Sequence, residues 1–127
     1  MKKLLKIVLL IFVCFILISG AVIFYLSRGL EAGSELGISN VDLSRLEDGI
    51  YTGSYEGGRW SNELEVKIKD NQIVGINIID DLSFSLIEVR EEIFQRLQEE
   101  QRLDIDVVSG STVTSKAYIK AVEDALQ

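Results

Sequence analysis

Histidine is absent from this 127-residue chain, and cysteine occurs once. Without an imidazole there is no His-based general acid or base. With one cysteine and no histidine there is also no Cys/His set for a zinc ion. Cys14 cannot form an intramolecular disulfide, and it sits inside an apolar run, where it reads as a small apolar residue. Positive charge is scarce as well. The formal net charge is −7. Lys2, Lys3 and Lys6 precede the apolar run and all 20 acids follow it, so the remainder carries about −10. A surface of that sign repels nucleic acid and anionic headgroups, so no nucleic-acid partner is expected.

The longest feature present is the uncharged run Ile7 to Leu26. As a helix it would span roughly 30 Å, the hydrocarbon thickness of a bilayer. A cleaved signal peptide has a shorter apolar region, about 7–15 residues, followed by a small-x-small site. Here Ser19-Gly20-Ala21 lies within the run, which favours an uncleaved anchor over residues 1–27. The lysines before it put the N-terminus in the cytoplasm and the rest of the chain on the extracytoplasmic side of the cell membrane. Residues 28–47, rich in Gly, Ser and Glu, read as a linker with one helical turn near Val41–Leu46.

Residues 48–127 read as a single small domain. Tyr51, Gly53 and Tyr55 alternate with Ile50, Thr52 and Ser54, as in a strand. Leu64, Val66 and Ile68 alternate with Glu63, Glu65, Lys67 and Lys69, the pattern of a strand with one wet face. Asp70-Asn71 supplies a turn, and Ile73–Ile79 returns as a third strand. Leu86, Val89, Ile93, Phe94 and Leu97 fall at helical spacing, with Ser83 or Ser85 as the cap. Leu103–Val108 is a short connection or strand. A last helix from about Thr114 turns Tyr118, Ala121, Val122, Ala125 and Leu126 inward. The expected fold class is α+β: a small antiparallel sheet of about three strands against two helices, after one transmembrane helix.

Where the last helix begins, Ser109, Ser111, Thr112, Thr114 and Ser115 crowd around Gly110. A helix start offers unpaired N–H groups and a partial positive charge, which suit a phosphate. Gly110 would let a backbone approach such a group closely. The ordinary alternative is a capped helix, worth about 1 kcal/mol. Tyr51, Tyr55 and Trp60 could stack on a flat ligand or simply pack the core. Asp106 could hold the turn through side-chain-to-backbone hydrogen bonds.

The stretch Asp106-Val-Val-Ser109-Gly110-Ser111-Thr112-Val113-Thr114-Ser115 resembles the signature of the FMN-binding domain family, which includes the membrane-anchored flavin subunits of Na⁺-pumping NADH:quinone reductase and of Rnf complexes. Asp48-Gly-x-Tyr-x-Gly53, Lys69-Asp-Asn-Gln-Ile73, the approach Gln101–Val108 and the closing Lys120–Leu126 are similar to that family in the same order. The resemblance implies FMN as cofactor, attached by a flavin transferase through its phosphate to the hydroxyl of Thr112. Asp106, Ser109, Gly110 and Ser111 would complete the attachment signature, and Thr114 and Ser115 would be its trailing hydroxyls. Ser111 stands where the family has alanine, and Asp80–Ser85 lacks the His, Gly or Lys often found there. The implied activity is electron transfer with redox partner proteins, as a carrier rather than a complete enzyme. Two other readings stay open: reversible FMN binding at the same helix start, and a flavin-free interaction or sensory module.

Overall fold

The computed structural model describes residues 1–28, 30 and 36–127. Helix α1, Lys2–Ser27, is uniformly apolar between its N-terminal lysines and Ser27, buries nothing, and is long and apolar enough to cross a membrane. A three-stranded antiparallel sheet follows in the order β1-β2-β3, with β1 Gly49–Tyr55, β2 Asn62–Lys69 and β3 Gln72–Asp80. Helices α2, Ile87–Glu100, and α3, Thr112–Leu126, cover one face of it. The α+β expectation therefore holds, with the sheet and all three helices in place.

Strand β2 behaves as its alternation implies. Leu64, Val66 and Ile68 are buried, while Lys67 and Lys69 are exposed. Asp70 and Asn71 both take positive φ, 52° and 60°, the paired left-handed geometry of a tight hairpin turn. Strand β3 departs from simple alternation. Ile73 is buried and Ile76 and Ile78 are packed against the core, because two register shifts relative to β2 each insert an extra residue.

The inner face of β1 presents Tyr51, Gly53 and Tyr55, and α3 lies directly across Gly53. A Cβ at Gly53 would stand 2.2 Å from the Ala121 carbonyl oxygen and 2.3 Å from the Ala125 nitrogen. Glycine on the strand and alanine on the helix thus allow backbone to meet backbone. The edge of β1 is tied to the same helix where the Ser54 N–H donates to Asp124 at 2.9 Å.

The stretch expected as a linker is largely fixed to the domain. Of residues 28–47, positions 29 and 31–35 lie outside the described residues. Ile38, Val41, Leu43 and Leu46 pack against the core, and the expected helical turn is a 3-10 turn at Leu43–Arg45. Asn40 Oδ1 accepts from the N–H groups of Leu103 (2.9 Å) and Asp104 (3.1 Å), just beyond α2. The Ser39 N–H donates to the buried Glu123 at 3.3 Å, and Lys120 donates to the Gly37 carbonyl at 3.2 Å. Composition alone suggested flexibility; the isolated aliphatics act instead as anchors for a strap. Asn40→Ala leaves two part-buried donors unpaired and is expected to lower stability by about 1–3 kcal/mol. In urea the midpoint should fall with the slope unchanged.

The caps also differ from expectation. Leu86, not a serine, precedes α2, and no side chain caps it. Leu86 itself is 53% exposed rather than part of the buried stripe of Val89, Ile93, Phe94 and Leu97. Leu103–Val108 forms no strand, but Leu103 and Ile105 are buried.

Candidate functional site

The chain enters α3 through a tight turn. Gly110 has φ +80°, a conformation that other residues adopt at a cost, although a Cβ there would meet nothing within 4 Å. The glycine is needed for the turn's geometry, not for space within the protein. The Ser111 N–H donates to the Val108 carbonyl at 2.9 Å, and the Ser115 N–H makes the first helical bond to the Ser111 carbonyl at 2.9 Å. Ser115 is fully buried, and its Oγ accepts from the Val108 N–H at 3.2 Å. This hydroxyl therefore fastens the incoming strand of the turn and does not face the surface.

Ser111 occupies the N-cap position, yet its side chain makes no capping hydrogen bond. The first-turn N–H groups of Thr112, Val113 and Thr114 are thus left uncovered by the usual cap, and they carry the positive end of the helix dipole. Thr112 opens the helix and is half-buried.

The helix start forms one wall of an open cleft of about 550 Å³, a size within the roughly 300–1,000 Å³ of small-molecule sites. Gly110, Ser111, Thr112, Val113 and Thr114 make that wall; Arg59, Trp60, Phe84 and Leu86 face them, and Leu30 completes the lining. Four of the seven residues picked from the sequence are therefore brought together. Ser109 and Asp106 are exposed outside the cleft, and Ser115 lies inside the protein. Around Asp106 the anchoring contact is to its backbone, where Arg96 donates to the carbonyl at 2.8 Å. Of the three aromatics considered, Trp60 alone lines the cleft. Tyr51 donates to the Glu47 carbonyl at 2.7 Å, and Tyr55 lies over Gly57.

The facing wall is held by two sets of bonds. Asn62 is buried, and its Nδ2 donates to the carbonyls of Trp60 and Ala117, both at 3.2 Å, which ties the 3-10 turn Gly58–Trp60 to α3. Arg59 lies 4.1 Å above the Trp60 ring, and its carbonyl accepts from the Ser83 N–H at 3.1 Å. Asp81 then anchors the loop between β3 and α2. Its Oδ1 accepts from the Tyr118 hydroxyl at 2.6 Å and from the Leu82 N–H at 2.8 Å, while Oδ2 pairs with Arg90 at 2.6 Å. Tyr118 is fully buried on α3 and meets Phe94 edge-on at 5.5 Å.

Burial opposes ionisation of Asp81, but hydrogen bonds from Tyr118, Leu82, Ser85 and Arg90 outweigh it and hold the carboxyl below its ordinary value. Burial and the bond to Asp81 push the Tyr118 phenol up, so it remains a proton donor across the physiological range. A depressed carboxyl pKa contributes stability above the unfolded value near about 4 and loses it as pH falls through the folded value. Unfolding free energy should therefore drop on acidification below about pH 4, and Asp81→Asn should weaken that acid limb. At neutral pH the same variant should cost about 1–3 kcal/mol, measured by denaturant unfolding.

Phe84 is a wall residue that sequence reasoning missed. It is 74% exposed and held at φ +57°. Its signal was an aromatic between two serines in a short loop; the serines drew attention as caps, whereas Ser85 in fact bonds Asp81.

A second groove of about 410 Å³ runs between β3 and α2 beside Ile76, Ile78, Phe94 and Arg90. It contains neither a helix start nor a hydroxyl cluster, so the chemistry points to the Thr112 cleft.

Comparison with known proteins agrees. The sequence matches the model of the FMN-binding domain over residues 58–127. It is also 33% identical over 87 residues to an uncharacterized protein of Treponema pallidum (strain Nichols). That match takes in 66% of this chain but 24% of the relative, so the chain spans about a quarter of that protein's length. The family match begins after β1, although β1 is packed under α3 as part of the same fold. With more than half of its residues matched, including the helix start and the facing Trp60, the chain belongs to the FMN-binding domain family.

Proposed function

We propose that this protein carries FMN covalently on Thr112, outside the membrane that α1 crosses, and passes electrons between partner redox proteins. The observation that carries the reading is the uncapped start of α3, with the Thr112 hydroxyl in its first turn and an open, partly aromatic wall opposite. In this reading the Thr112 oxygen becomes the ester oxygen of a phosphodiester, and the hydroxyl proton is lost. The remaining phosphate charge lies beside the N–H groups of Thr112, Val113 and Thr114, where a helix start favours an anion by about 0.3–1 kcal/mol. Arg59 adds a nearby cation, and Trp60 and Phe84 offer apolar faces to a flat ring. FMN, when bound, supplies the redox chemistry; the chain positions it and leaves it open to partners. A tether suits so open a cleft, because a cofactor on the far side of a membrane is hard to replace once lost.

The whole-protein activity is proposed at the level of a carrier. Intact mass after co-expression with a flavin transferase tests it. The expected increase is one FMN less one water, with flavin fluorescence that survives a denaturing gel. Yellow protein whose colour is lost on denaturation would favour reversible binding at the same helix start. Protein that neither takes up flavin in cells nor quenches added FMN would favour a flavin-free interaction module.

A further inference from the structure

The cleft has an apolar lip that the flavin reading does not use. Among the described residues after α1, the exposed large hydrophobics are Leu30, Ile50, Val74, Ile79, Phe84, Leu86 and Ile87. Three of these are spread over β1 and β3. The other four gather at one place: Leu30, Phe84 and Leu86 line the cleft, and Ile87 follows Leu86 at the start of α2. Their exposures are 46%, 74%, 53% and 61%.

The position of this lip relative to α1 says what covers it. The Leu26 carbonyl, at the end of the uncharged run, accepts from Arg59 Nε at 3.1 Å. The Arg59 carbonyl accepts from the Ser83 N–H at 3.1 Å, and Phe84 is the next residue. Phe84 therefore stands two hydrogen bonds from the boundary of the apolar helix. A Cβ on Gly58 would meet the Arg28 carbonyl oxygen at 2.5 Å, so the 3-10 turn presses closely on the end of α1. Arg59 over Trp60, at this same level, is the pairing of cation and amphipathic aromatic that suits a membrane–water boundary. The charge distribution agrees. The domain's many acids disfavour contact with an anionic surface, while Arg28 and Arg59 beside the lip complement headgroup phosphates.

We propose that Leu30, Phe84, Leu86 and Ile87 dip into the outer leaflet of the bilayer that α1 crosses, seating the Thr112 cleft at the lipid surface. The proposal rests on α1 being retained as an anchor. A cleft at that height exchanges electrons with partners held in or on the same membrane.

Single cysteines on a Cys14→Ser background, in the full-length chain in zwitterionic vesicles, test this with a polarity-sensitive fluorophore. Phe84→Cys is the lip position, Asn77→Cys an exposed position on β3, and Leu17→Cys reports on α1. The label at 84 is expected to emit to the blue of the label at 77, to be quenched by a lipid-borne quencher, and to resist aqueous iodide. A label at 84 as exposed to iodide as that at 77, with 17 in lipid, overturns the docking and leaves the anchor standing. Protection at 84 from both quenchers indicates protein cover, and also overturns it. If 17 itself reports water, the anchor reading fails and the proposal fails with it.

Discussion

Thr112→Ala is expected to give a folded protein with no covalent flavin. The substitution falls at the first helical position, where Thr112 is half-buried and is not the cap residue. Alanine is the better helix former there, and exposed changes of this kind stay within about 0.5 kcal/mol. Loss of flavin would then report the missing hydroxyl and not a missing fold. Thr112→Ser keeps an oxygen at the same place and should retain labelling. Ser111→Ala removes a hydroxyl that caps nothing, so labelling should persist there too. Intact mass, with circular dichroism as the check on folding, reads all three. Label remaining on Thr112→Ala and mapping to Thr114 would show that the wrong oxygen was chosen. Ser115 is no candidate in the folded state, because its hydroxyl is buried and engaged by Val108.

The second large effect lies far from the cleft. Gly53→Ala should lower stability by about 3 kcal/mol or more, at or beyond the upper end of ordinary overpacking. The new methyl would collide with backbone atoms of α3, Ala121 O at 2.2 Å and Ala125 N at 2.3 Å, and backbone cannot rotate away as a side chain can. The usual benefit of replacing glycine, a stiffer unfolded chain, is about 0.4–1 kcal/mol and is outweighed. A small domain holds only about 5–15 kcal/mol in total, so α3 should loosen and the Thr112 turn with it. Gly75→Ala is the matched control. Its Cβ would meet only Lys67 Cβ at 3.9 Å, an ordinary contact, so its midpoint in urea should hold or rise slightly. Equal loss in both variants would contradict the close crossing of β1 and α3.

These two residues show different degrees of legibility. Thr112 could be found without coordinates, because hydroxyls around a glycine at the start of an amphipathic helix form a local pattern. Gly53 could be seen only as one face of an alternating strand. That it lies beneath Ala121 and Ala125 depends on the meeting of segments about seventy residues apart. Phe84 was hidden for the same reason: it joins the cleft through Ser83 bonding Arg59 and Asp81 bonding Tyr118, contacts made across the chain.

The sequence by itself determined the apolar first helix, the wet and dry faces of β2, the hairpin at Asp70–Asn71, the buried stripe of α3 and the hydroxyl-rich turn before it. All are short-range periodicities or turn chemistry, which a single segment expresses alone. Only the tertiary structure decided that Ser115 turns inward while Thr112 remains in the cleft, that β3 slips register twice, and that residues from Gly37 onward strap the domain. It also decided that Phe84 faces the helix start and that the cleft stands beside the end of α1. Those outcomes depend on which distant groups satisfy each other's hydrogen bonds and fill each other's space, and such pairings leave no period in the chain.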